Sequence, residues 1–388
     1  MTDATLNKSK LPSLTGYRFL LAFAVLVGHV VFVSGIFPMG HAVLEGIDYS
    51  KVLAAGAVSS FFVLSGFILT WTRRADDTAR RFWRRRVVKI FPNHVVTLVL
   101  MTALMLATTA ATMLPVGEPT PGGTVANLFL VHSWVPDTGL ISSGTGVTWS
   151  LVAEMFFYLS FPFIIAPLCA VAQKHLWPVL AVVMAAIVTV PGVVALAGPG
   201  DTVVPWMSLS VETWWLIYFF PPVRALEIVL GILLARAVLS HRWPIAHPFW
   251  PVMALLAVFV ATPVLPDAYL WGAATCVPAA AVIATLARRD VEHGVSGWLA
   301  TPVMMRLGEA SYALYLVHIP VTFALLQLLG PARVYTTTTA TLVVLAAMAA
   351  SIVASLLLWR LVEVPMMRRF ARPRRSTAAE PTIQPVGG

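Results

Sequence analysis

Two side chains able to do chemistry share one apolar stretch of this chain. Arg18 and His29 lie in or beside the run from Tyr17 to Phe37, which is long and greasy enough for a membrane span. They are eleven residues apart. At about 100° per residue this is three turns plus roughly 20°, so both share one helix face. Along the axis they stand about 16 Å apart, half the hydrocarbon thickness. The spacing puts an arginine at one interface and an imidazole at the midplane. An ionisable group so deep is costly and marks a candidate site. An imidazole titrates near neutrality, so His29 could act as a general base or as a nucleophile. The structural alternative is that His29 bonds a neighbouring helix and Arg18 snorkels to headgroups.

Other polar residues interrupt later apolar runs. Thr148, Trp149 and Ser150 open one run, with Glu154 about a turn and a half below the outer interface. Glu154 there needs a partner, a proton or water. Arg224 and Glu227 are three residues apart and can pair on one helix face. Ser311, Tyr315 and His318 follow an i, i+4, i+7 pattern on another face, beside Tyr312. They either line a polar cavity or staple helices. Arg85, Arg86 and Lys89 fall on about one turn at a membrane edge and offer donors for phosphate. A negatively charged cofactor would fit them; setting topology and holding anionic lipid is the alternative. No P-loop, no Gly-x-Ser-x-Gly elbow and no Cys/His metal spacing occurs. Ser65-Gly66 reads as small-residue packing.

The elements that carry these residues follow from composition. The 388 residues are 59% hydrophobic and 11% charged, with a mean hydropathy of +0.84. A soluble domain could not bury so much apolar surface, so the chain reads as an all-α, polytopic membrane protein. Its first segment follows a polar stretch and lacks a signal-peptide cleavage pattern. Ten spans are predicted, at about 17–37, 52–72, 87–114, 148–172, 176–197, 213–239, 248–265, 268–287, 308–329 and 338–362. Asp267 leaves almost no loop before the eighth. Nearly all Lys and Arg fall on one side of this frame; only Lys51 and Arg333 fall on the other. The positive-inside rule therefore puts both termini in the cytoplasm. The predicted organisation is a cytoplasmic segment at 1–16, a membrane domain at 17–365 and a basic, disordered tail at 366–388. Residues 115–147 read as a long outer loop, with Trp134, Trp149 and Trp206 as interface anchors.

Several stretches together resemble the membrane acyltransferase-3 family. Leu11 to Arg18 with His29 is similar to its first-helix arginine–histidine motif. Phe61 to Phe67 resembles its second-helix signature, and Arg85 to Pro92 its basic motif. Trp149-Ser150-Leu151 with Glu154 resembles its outer-loop motif, and Leu307 to His318 its late-helix motif. Val362-Glu363-Val364-Pro365 resembles the closing one. Lys89 stands where arginine is common, and Met155 replaces a frequent second carboxylate. The resemblance implies a cell-membrane O-acyltransferase with acyl-CoA as co-substrate, a hydroxyl acceptor and no metal. Arg85, Arg86 and Lys89 would hold the CoA phosphates, and Arg18 would steer the donor. His29 would serve as base or nucleophile, and Glu154 would orient the acceptor or His318. Trp149, Ser150, Tyr315, His318 and Arg224 would line the substrate site. The compact form resembles members that acylate macrolide antibiotics. Alternatives are a cell-envelope polysaccharide O-acetyltransferase and a proton-coupled transporter of a glycolipid or acyl group.

Overall fold

The computed structural model describes residues 10–37, 48–73, 77–108, 114, 116–200, 207–294, 297–330 and 335–371. Arg333, Trp206 and the tail from Arg372 lie outside the described residues. Ten apolar helices are found: α1 Pro12–Val27, α2 Gly56–Trp71, α3 Ala79–Ala107, α4 Trp149–Ala170 and α5 Leu176–Ala197, then α6 Pro221–Leu239, α7 Phe249–Ala261, α8 Ala273–His293, α9 Ser311–Leu329 and α10 Thr337–Leu358. Among the described residues, nine helices are long and apolar enough to cross a membrane. The seventh expected span is a short one: α7 with its 3₁₀ extension runs only Phe249–Val264. The end of the chain also departs from expectation. Helix continues past α10 through Glu363 as far as Ala371, so the expected tail is helical in its first residues.

The helix ends sort into two groups. Ser13 at the start of α1 donates its backbone N–H and its hydroxyl to Asp290 at the end of α8, at 2.9 and 2.6 Å. This carboxylate satisfies amide groups that a helix start leaves unpaired. Lys89 near the start of α3 pairs with Glu363 beyond α10. Tyr312 at the start of α9 donates to Ile90 of α3 at 2.9 Å. Arg236 near the end of α6 donates to Leu168 at the end of α4. The first and last described residues therefore sit at one arginine-rich end. At the far end Lys51 is buried, bonds Asp48 and Asp267 at 2.8 Å each, and lies over Trp271.

α2 and α6 cross with their backbones in contact. A Cβ on Gly66 would lie 2.0 Å from the Ile228 carbonyl, and one on Gly231 1.9 Å from that of Val63. Glycine at both positions makes the crossing possible, the small-residue route to helix packing in lipid. Ser65 is thereby turned away from this seam.

Part of the stretch 116–148 folds inward, while positions 120–122 and 134–139 stay exposed. It carries two short helices, Pro121–Leu128 and Thr138–Ile141. Asn127 donates to the Ser143 carbonyl at 2.6 Å and to Thr148 at 2.9 Å, and His94 of α3 bonds the Asn127 carbonyl at 3.1 Å. Asn127, His132, Ser143 and Thr148 are all buried. Each satisfies part of its neighbour's hydrogen bonding, which lets a polar loop enter an apolar bundle. Burial, and secondarily the neighbouring His94, push the His132 imidazole down to about 3.

Candidate active site

α1 ends as an α-helix at Val27 and continues as a π-helix over Gly28–Val33. π-turns of this kind gather at functional sites, and His29 stands in this one. Gly28, in ordinary right-handed helical geometry at the start of this turn, is where the segment carrying Ser50 and Ala54 packs closely. A Cβ on it would come within 2.9 Å of Ala54, and the Ser50 hydroxyl donates to its carbonyl at 3.2 Å. The His29 Nδ1 lies 2.9 Å from the Val25 carbonyl and 3.4 Å from His318 Nε2. The two imidazole rings are 5.2 Å apart and tilted by 49°. His318 is buried and His29 is half-buried.

A cavity of about 160 Å³ opens between α1, α2, α3, α4 and α9. Arg18, Arg86 and Lys89 line its basic side, with Ser65, Glu154 and Tyr158. Ser150, Tyr312 and Tyr315 line the rest of its polar wall. Three cations face one carboxylate, so the cavity suits an anion. Lys89 is partly neutralised by Glu363, which also accepts from Asn93 at 2.7 Å. Arg86 lies over the rings of Phe82 and Tyr158, at 5.8 and 5.6 Å.

Glu154 stands at a different depth from the expected one. Because part of the stretch 116–148 folds inward, α4 starts inside the bundle, and Glu154 is carried toward the arginine-rich end. It accepts from Ser65 at 3.1 Å and from Tyr158, one helical turn on. Trp83, at the start of α3, donates its indole N–H to the Tyr158 carbonyl at 3.0 Å. Trp149 is equally displaced. It is buried against Phe62, Tyr218 and Phe219 rather than anchored at an interface.

Ser150 and Tyr315 are in contact, at 2.7 Å between hydroxyls, and Tyr315 donates to the Val147 carbonyl at 2.8 Å. Tyr315 lines the cavity, and its ring is 6.2 Å from that of His318. The histidine pair thus stands one residue behind the cavity wall. Arg85 points elsewhere: its guanidinium closes on the Asp77 carboxylate with both nitrogens. Arg224 is not in this wall either. It pairs with Glu227 at 3.0 Å, donates to Ser59 at 2.8 Å, and lies over Phe62 and Tyr218. Through Phe62 it supports the cavity from behind.

Tyr312 lines the cavity, one of the two roles its sequence pattern allows, whereas Ser65 and Tyr158 are not expected site residues. Tyr158 carried a usable signal, since it lies four residues after Glu154 on the same face. Ser65 carried none, because its glycine neighbour explains the same motif by packing.

Among the described residues, a bundle of apolar helices with a cavity lined by Arg18, Arg86 and Lys89 defines an all-α membrane protein. The chain belongs to the acyltransferase-3 family: the model for that acyltransferase domain matches residues 11–360. It is similar to the acyltransferase MdmB of Streptomyces mycarofaciens, 37% identical over 376 residues, which cover 96% of this chain and 95% of that protein. No solved structure matches it.

Proposed function

We propose that the protein is an acyl-CoA-dependent O-acyltransferase of the cell membrane, acting on a hydroxyl of a sugar or of a glycosylated product such as a macrolide. Family membership supports acyl transfer, and the observation that carries the finer reading is the cavity itself. Arg18, Arg86 and Lys89 converge there on a largely apolar space that also carries the hydroxyls of Ser65, Ser150, Tyr158, Tyr312 and Tyr315, with the His29–His318 pair behind Tyr315. The cations would take CoA phosphates from the cytoplasmic side, which is also where the one-sided distribution of Lys and Arg assigns the basic end. The thioester would then extend along the face of α1 from Arg18 toward His29.

With His29 as base, Nε2 takes the acceptor hydroxyl proton while the oxygen attacks the thioester carbon. A C–O bond forms, the C–S bond breaks, and the proton passes on to the CoA thiolate. With His29 as nucleophile, the acyl group rests on the imidazole before reaching the hydroxyl.

The test is transfer by the purified chain in detergent, with labelled acetyl-CoA and separate glycosylated-macrolide and envelope-oligosaccharide acceptors. Label on the macrolide with stoichiometric free thiol is the expected result. Label on the oligosaccharide alone makes this a polysaccharide acetyltransferase. Release of no thiol with any acceptor, together with substrate-dependent proton movement in vesicles, would sink the enzyme reading in favour of transport.

A further inference from the structure

The contacts of the two imidazoles fix where their protons sit. His318 Nδ1 is 3.2 Å from the Leu314 carbonyl, which can only accept, so Nδ1 carries the proton. The neutral ring then has its lone pair on Nε2. That nitrogen faces His29 Nδ1 at 3.4 Å. His29 Nδ1 is itself 2.9 Å from the Val25 carbonyl, another obligate acceptor, so it too carries a proton. One N–H of His29 is therefore shared between a carbonyl and the His318 lone pair. The remaining nitrogen of His29, Nε2, is left with its lone pair on the side away from His318. The backbone of His318 is held in turn, since Thr322 donates to its carbonyl at 2.7 Å. His318 is 1% exposed, while His29 is half-buried, so of the two rings His29 is the more accessible.

We propose that His318 is the positioning residue for His29: it adds to the Val25 carbonyl in favouring the Nδ1–H tautomer of His29 and accepts the hydrogen bond of the imidazolium that forms when Nε2 takes a proton. This rests on the reading of His29 as base or nucleophile, and it deepens that reading by assigning the reacting atom. The arrangement has the logic of a hydrolase triad, with a neutral imidazole in the place of the carboxylate. The Val25 carbonyl is the second arm and holds the tautomer even when His318 is replaced, so the loss on replacement is the hydrogen bond to the cation alone.

The experiment uses the full chain in lipid nanodiscs, with acetyl-CoA as donor and a glycosylated macrolide as acceptor. His318→Leu removes the acceptor, whereas His318→Gln keeps a side-chain oxygen able to take its place. We expect His318→Leu to slow single turnover about 10- to 100-fold, the worth of a hydrogen bond to a charged group, with KM for acetyl-CoA unchanged. His318→Gln should recover most of that loss. Adding His318→Leu to His29→Ala should slow turnover no further, because His318 acts through His29. A purely structural histidine would give equal losses for Leu and Gln, or additive losses in the double variant, and either result overturns the proposal. An independent readout needs no turnover: in ¹⁵N-histidine-labelled protein, the signal missing from His29→Ala should be that of an Nδ1–H ring. An Nε2–H ring there overturns the assignment directly. Near-normal turnover by His29→Ala is a different failure, since it removes His29 from the chemistry and leaves the tautomer measurement standing.

Discussion

Arg85 and Arg86 are adjacent in the chain and opposite in their surroundings. The fork of Arg85 is closed on Asp77, and both groups are only partly buried. Arg86 reaches the cavity, and its Nε is buried without a hydrogen-bond partner among the described residues. Sequence reasoning treats the two alike, and the structure separates them. Arg86→Ala should raise KM for acetyl-CoA by about 10-fold or more, the worth of one charged hydrogen bond. Arg85→Ala should leave that KM within about threefold and cost about 1 kcal/mol or less in stability, as partly exposed pairs do. Donor titrations at low and high salt check both, since phosphate contacts weaken with ionic strength. Equal effects on KM would remove the distinction. The chemistry-bearing residue types were legible from spacing: Arg18, His29, Ser150, Tyr315 and His318 all lie in or beside one site. Their partners were not. Asp77 lies eight positions before Arg85 and outside the helix, and Glu363 lies 274 positions after Lys89, so no local pattern announces either pair.

At the scale of an element, the stretch 116–148 is where sequence and structure part most. Its Gly, Pro, Ser and Thr content reads as a solvent-facing loop, yet Asn127, His132, Ser143 and Thr148 are buried and turned on one another, while Glu118, Thr120, Asp137 and Thr138 stay exposed. Composition cannot distinguish polar residues bonded to water from polar residues bonded to each other. The displacement of Glu154 and Trp149 follows from this one error of depth. The buried His132 makes the inward fold measurable. Its imidazole is held down to about 3 from an ordinary value of 6.5. The unfolded chain therefore binds a proton between those values that the folded chain refuses, and stability contributed by the neutral form is lost as pH falls below 6.5. The slope is at most about 1.4 kcal/mol per pH unit for one such group. Thermal unfolding in detergent at pH 7.5 and 5.5 should show the wild type losing more stability across that interval than His132→Gln. Identical pH dependence in the two would mean that His132 does not stay neutral in the fold.

For the whole molecule the open quantity is how many times the chain crosses the membrane. Nine long helices alone would leave the termini on opposite sides, whereas ten crossings put them on the same side. α7 decides between these. With its 3₁₀ extension it spans about 26 Å, short of a hydrocarbon layer of about 30 Å. Its flanks place its two ends at opposite ends of the bundle. Before it, Trp243 donates to Thr285 at 3.0 Å, and Arg288 donates to the Trp243 carbonyl, all near the end of α8. After it, Asp267 bonds Lys51 and Ser208 at the far end, close to the start of α8. The segment therefore covers the depth of α8 in the reverse direction, and its shortfall is small enough for local thinning of the bilayer to absorb. The contacts of Ser13 with Asp290 and of Lys89 with Glu363 independently bring the first and last described helices to the arginine-rich end. The positive-inside rule predicts that end to be the cytoplasmic one. Reporters fused before Met1 and after Gly388 should both report the cytoplasm, and a reporter inserted after Leu265 should report the opposite side. A cytoplasmic signal at 265 with the carboxyl terminus outside would mean that α7 lies along the surface, and would break the ten-crossing frame on which the cytoplasmic route of the donor depends.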